Sequence, residues 1–118
     1  MDKLYAGKKI YKGRRSTDEK QNVVVVIDDK GTRTVAPRYD LANHSPDGYE
    51  WGYEGSGPAQ LALALCADVL DDDVRALRVY QRVKRRIIAP LAADLWTLTE
   101  QEVRDAIEFA EHASRAHA

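Results

Sequence analysis

The chain has 118 residues, of which 44% are apolar and 31% charged, a composition that fits one globular domain and neither a disordered chain nor two full domains. Lys and Arg number 18 against 19 Asp and Glu, and the net charge of −1 excludes a uniformly basic nucleic-acid binder. That balance conceals blocks: 1–38 carries a net +5, 39–73 a net −8, 74–90 a net +6 and 91–118 a net −4.

A single cysteine, Cys66, leaves no intramolecular disulfide and no cysteine-rich zinc site. The longest apolar stretch, Ala59 to Leu70, is interrupted by Gln60 and Asp68 and falls short of the roughly 20 residues a membrane span requires. No charged start followed by an apolar core marks a secretory signal, so the expected location is the cytoplasm.

The first half reads as β. A strand around Lys9 to Lys12 is followed by a charged loop, Arg14 to Lys20. Val23 to Ile27 is continuously β-branched, and Asp28-Asp29-Lys30-Gly31 turns it into a partner at Thr32 to Val35. Tyr49-Glu50-Trp51-Gly52-Tyr53 alternates and predicts a fourth strand, with three rings on one face and Glu50 on the other.

The second half reads as α. Gly57-Pro58 starts a helix that is apolar on most sides as far as Leu70. The run Asp71 to Asp73 ends it and supplies a carboxylate N-cap for the next. Val74 to Leu91 predicts an amphipathic helix with Leu77, Tyr80, Ile87, Ile88 and Leu91 on one side. Pro90 ends or bends that helix. Thr99 and Glu102 form a capping box for a last helix that frays from His112 onward. The expected fold class is α+β, one domain over 1–118 with 1–8 and 112–118 frayed. It comprises a small antiparallel sheet of three to four strands followed by three helices packed on it.

The densest chemistry lies between Asn43 and Gln60. His44, Ser45, Glu50, Trp51 and Tyr53 precede a turn of Gly55, Ser56 and Gly57 at a helix N-terminus. Such a terminus offers free N–H groups and a positive dipole end to a phosphate or carboxylate, with an aromatic ring to stack. The plainer reading is that the glycines make the turn, Ser56 or Gly57 caps the helix and the aromatics fill the core. His44 with Glu50 has the makings of a general base and its orienting carboxylate. Against this, Gly55-Ser56-Gly57 lacks the spacing of a nucleophile elbow. His112 and His117 are five apart, off the i, i+4 spacing of helical metal ligands, and neither a metal nor a cofactor is expected.

Arg75, Arg78, Arg82, Arg85 and Arg86 form a basic stripe along the second helix. It either contacts phosphates or is a solvated face paired with the acidic last helix, and with no aromatic interleaved the second reading is favoured over nucleic acid. Lys84 falls on the apolar side, where it either snorkels to the edge or reaches the anion site.

The run NHSPDGYEWGYEGSGPAQLALA, Asn43 to Ala64, resembles the signature of a family of small uncharacterised domains of phages, plasmids and other mobile elements. Tyr11-Lys12-Gly13-Arg14, Pro37-Arg38, Asp40-Leu41, Tyr80, Lys84 and Trp96-Thr97-Leu98-Thr99 extend the likeness over roughly residues 10 to 108. Glu54 departs from it by standing where a glycine is expected. The resemblance implies a mobile-element setting without supplying a mechanism.

Three functions are consistent with these residues. The first is a non-enzymatic accessory protein of a virus or plasmid that binds a host or viral protein, with counter-defence as one role; the charge blocks favour it. The second is a protein that binds or sequesters a nucleotide or phosphorylated ligand through the Gly-Ser-Gly turn. The third is a small hydrolase using His44 and Glu50.

Overall fold

A computed structural model describes residues 8–17 and 21–116. Three strands come first: β1 (Ile10–Arg14), β2 (Val23–Asp28) and β3 (Gly31–Thr34). Helices α1 (Ser56–Leu70) and α2 (Asp73–Val83) follow, and α2 runs on into a π-helical turn, Lys84–Ile88. Strand β4 (Leu95–Thr99) then leads directly into α3 (Glu100–Ala116). The sheet is antiparallel throughout, in the order β3-β2-β1-β4. The α+β class is as the residue pattern predicts.

The β2–β3 hairpin turns where expected, through Asp29-Lys30, with Gly31 at φ +124°. The fourth strand does not. Tyr49 to Tyr53 forms irregular turns, because Gly48 (φ +104°) and Gly52 (φ +88°) bend the chain where a strand would stay extended. The fourth strand is Leu95–Thr99, which lines up beside β1 with Tyr11 opposite Leu98.

Alternation divides the sheet into two faces. Tyr11, Val24, Val26, Trp96 and Leu98 point one way and are buried under the helices, while Lys12, Arg14, Val23, Leu95 and Thr97 point the other way and are exposed. Helix α1 is the centre of the core, buried continuously from Gly57 to Ala67. Val79 and Val83 of α2 and Val103 and Ile107 of α3 close over it.

The buried side of α2 differs from the predicted one. Ala76, Val79, Tyr80, Val83 and Ile88 face inward, whereas Leu77 is 41% exposed and Ile87 and Leu91 are only half-buried. Tyr80 and Ile88 are buried as expected, and a π turn accompanies the second of them at the end of the helix. The bond from Ala89 N to Lys84 O takes in one extra residue there.

Both predicted caps form. The Asp72 carboxylate accepts from Arg75 N at 3.1 Å. Thr99 Oγ1 accepts from Glu102 N at 3.0 Å while Glu102 Oε1 accepts from Thr99 N at 2.9 Å. Helix α3 runs to Ala116; the expectations for 1–7 and 117–118 lie outside the described residues.

Close approach explains Gly13. It sits opposite Trp96 in β4, and the indole lies against its backbone so closely that an added methyl would overlap the ring. Gly13→Ala is expected to lower stability by about 2–3 kcal/mol through overpacking, read as a reduced urea midpoint with an unchanged slope. A loss within about 0.5 kcal/mol, the range of an ordinary surface change, contradicts this packing.

Candidate functional site

Gln60 is the one fully buried polar side chain among the described core residues, and it organises the segment between β3 and α1. Its amide nitrogen donates to Pro37 O at 2.7 Å and Ala42 O at 3.0 Å. Its Oε1 accepts from His44 N at 2.7 Å and Ser45 N at 3.3 Å. Both donors and both acceptor sites of the amide are thereby engaged. The loop is folded around this side chain much as a helix end is folded around its cap.

His44 is turned toward α2 by that clasp. Its Nε2 shares a hydrogen bond with Tyr80 Oη at 2.6 Å, with the two rings 5.5 Å apart. Tyr39 donates to Ser45 O at 3.0 Å, and Asn43 is exposed. Tyr49 donates its hydroxyl to Val35 O, and burial pushes its ionisation up, with Tyr39 and Asp68 adding to the effect.

The aromatic segment is anchored on the opposite flank. Glu50 pairs with Arg15, whose guanidinium also holds Asp94 and lies 4.7 Å over the Trp51 ring. Trp51 donates Nε1–H to Ala93 O at 2.9 Å and meets Trp96 edge-on at 5.5 Å. No hydrogen bond joins Glu50 to His44: the partners of the first are Arg15 and the Trp51 backbone, and that of the second is Tyr80. Tyr53 is half-exposed.

At the turn, Gly57 is buried against Glu50, where an added Cβ would come within 2.6 Å of the Glu50 Cβ, and Gly55 lies against the Tyr53 ring. Ser56 is exposed, and no side chain caps α1. Lys84 reaches the neighbourhood of this turn through Glu54, at 3.9 Å, and Arg85 approaches the same carboxylate at 3.4 Å. Clefts of about 350 to 610 Å³ open elsewhere on the described surface, and none of these is lined by Gly55, Ser56 or Gly57.

Residue patterning missed a second cluster. Asp68, a carboxylate inside the apolar run of α1, accepts from Tyr11 Oη at 2.6 Å, Lys9 Nζ at 3.2 Å and Arg33 Nη2 at 3.0 Å. Burial alone would raise its ionisation, but the Tyr11 hydroxyl, Lys9 and Arg33 together hold it below the ordinary carboxylate value. Its position as an acid amid leucines and alanines was the only signal in the sequence. A cleft of about 520 Å³ beside it is lined by Lys9, Arg33, Arg38 and Arg104, with Asp68, Asp71 and Glu100 between them.

The basic stripe divides. Arg75 makes two bonds to Glu111 on α3, at 2.9 and 3.0 Å, as the pairing with the acidic helix anticipates. Arg86 stacks 3.8 Å over Phe109. Arg78 and Arg82 are exposed and make no ion pair among the described residues. Among the described residues no group of three or more His, Cys, Asp or Glu side chains is placed to hold a metal, and no helix is long and apolar enough to cross a membrane.

These features define a two-layer α+β domain whose most distinctive segment, 37–60, is folded around one buried glutamine. The family of unknown function DUF6166 matches residues 11–109, from β1 to α3, and the chain belongs to that family. Neither a curated protein nor a solved structure matches it.

Proposed function

We propose that the chain is a non-enzymatic protein that acts by binding a partner protein. The observation that carries this reading is the sheet face opposite the helices, which the described chain leaves uncovered with apolar and cationic side chains upon it. The side chains considered for catalysis or ligand binding have structural partners instead: His44 has Tyr80, Glu50 has Arg15, and Gln60 has four backbone groups. A mobile-element setting, a host or viral target, a counter-defence role and a cytoplasmic location belong to the same proposal, resting on the signature described above.

The reading is tested by purifying the tagged chain with its partner from the native cell and asking whether a complex of fixed stoichiometry survives size exclusion. Such a complex is expected, and it should persist in His44→Ala. A panel of nucleotides and phosphorylated metabolites should leave the melting temperature within about 1 °C. A true ligand at a hundredfold excess over its Kd would add about 2.7 kcal/mol and several degrees. A ligand shift or a turnover abolished by His44→Ala would replace protein binding with the nucleotide or the hydrolase reading.

A further inference from the structure

We infer that the uncovered sheet face receives an acidic amphipathic helix of the partner, an inference that rests on the protein-binding reading and names what the partner presents. A cleft of about 610 Å³ lies on this face, floored by Val23 and Val25 of β2 and by Leu95 of β4, with Lys12 and Arg14 of β1 between them. Leu95 is 66% exposed and Val23 38%, high values for apolar side chains on adjoining parts of one surface.

Charge selects the occupant. Several of the chain's cations meet its own carboxylates: Arg15 with Glu50, Arg33 with Asp68, Arg38 with Asp73, Arg75 with Glu111 and Arg85 with Glu54. Lys12 and Arg14 make no ion pair among the described residues, and no described carboxylate lines the cleft. A protein of net charge −1 therefore presents a local positive line here. A complementary partner carries carboxylates toward it.

Spacing selects the shape. Val25 and Leu95 lie on the two strands flanking β1, and strands about 4.8 Å apart set these flanks roughly 10 Å from one another, about the width of a helix. Lys12 and Arg14 are two residues apart on one strand, about 6.7 Å, close to the rise of about 6 Å between helical positions i and i+4. An acidic i, i+4 pair flanked by apolar residues thus meets cations in the centre and valine or leucine on either side.

Other occupants fit less well. A second copy docked face to face would oppose Lys12 and Arg14 to themselves. A nucleic-acid strand would leave Val23, Val25 and Leu95 against its charged backbone, and the lining offers no exposed ring for a base, since the Trp96 side chain is buried on the inner face.

The experiment selects binders of the 118-residue chain from a displayed library of randomised helical peptides. Enriched sequences should place Asp or Glu at i and i+4 beside Leu, Ile or Met. Their affinity should fall roughly tenfold or more in the Lys12→Glu, Arg14→Glu double variant. Changing the peptide acids to lysine should restore binding to that variant, which a misfolded protein could not do. The Arg78→Glu, Arg82→Glu variant should bind as the wild type does. The inference is overturned by an absence of binders, by acid-poor binders, by acidic binders indifferent to the double variant, or by displacement with a single-stranded oligonucleotide. If the native complex forms and survives the double variant, helix docking fails while protein binding stands. If the wild type forms no complex at all, the protein-binding reading itself falls.

Discussion

Gln60→Leu is expected to cost about 3 kcal/mol or more and to release the segment between β3 and α1. Leucine fills most of the volume but returns nothing to Pro37 O, Ala42 O, His44 N and Ser45 N, the four backbone groups that the amide serves. Each partly buried group left without its partner costs about 1–3 kcal/mol, reduced where water can reach it. The loss should appear as a lower urea midpoint and as faster amide exchange at His44 and Ser45, with β1 and β2 protected until global unfolding. Gln60→Glu separates hydrogen bonding from shape. An ionised glutamate keeps its acceptor oxygen for His44 N and Ser45 N but turns lone pairs toward two carbonyls, which raises its folded-state pKa. A group with a raised folded pKa stabilises below its unfolded value and loses that contribution as pH rises through the folded one. The Gln60→Glu protein should therefore recover stability on acidification toward pH ~4, near the free glutamate value. Retained stability in Gln60→Leu would show that the loop is held by its rings alone.

Local signals were readable wherever their cause is local. Thr99 and Glu102 announce a helix start because the two residues satisfy each other's backbone within a single turn. The Asp29-Lys30 turn is equally self-contained, and both appear where the residues place them. Strand β4 was illegible for the opposite reason. Leu95 to Thr99 is five residues long, and its support is pairing with β1, more than eighty positions away. Tyr49 to Tyr53 alternates as a strand does, but Gly48 and Gly52 take positive φ and convert the pattern into turns.

The candidate site teaches a related lesson. Gly55-Ser56-Gly57 has the composition of a phosphate-binding turn, yet Gly57 is needed for the close approach of Glu50, and Gly55 lies against the Tyr53 ring. A sequence cannot distinguish a glycine that admits a ligand from one that admits a neighbouring side chain. Likewise the charge blocks looked like surfaces awaiting a partner, and most of them neutralise one another within the fold. Arg38 bridges Asp40 and Asp73, and Lys84 and Arg85 approach Glu54. Beside the exposed Arg78 and Arg82 of α2, an unpaired cationic line remains at Lys12 and Arg14, visible only once the register of β1 is known.

Asp68 carries the second large effect. Its side chain is 15% exposed and gathers Lys9, Tyr11 and Arg33, which tie β1 and β3 to the C-terminal end of α1. Asp68→Ala would strand the Tyr11 hydroxyl, which belongs to a fully buried residue, and leave two cations without their anion. Breaking a buried pair costs about 3–5 kcal/mol. Here Arg33 is half-exposed and Lys9 a quarter exposed, so water screens part of the loss and about 2–3 kcal/mol is expected. Asp68→Asn keeps an acceptor for Tyr11 but loses the charge and the second oxygen, which accepts from Arg33, so it should fall between wild type and Asp68→Ala. The pH dependence identifies the charge as the cause. Because Tyr11, Lys9 and Arg33 depress the folded-state pKa below the ordinary 3.8, the carboxylate's contribution is complete above that value and disappears as pH falls through the folded pKa. Urea melts at pH ~7 should therefore separate wild type from Asp68→Asn, and the gap should close once the pH falls well below the free carboxylate value of about 3.9. A gap of constant size across that range would mean that asparagine fails through shape, and that the ion cluster contributes nothing to holding β1 and β3 on the helix.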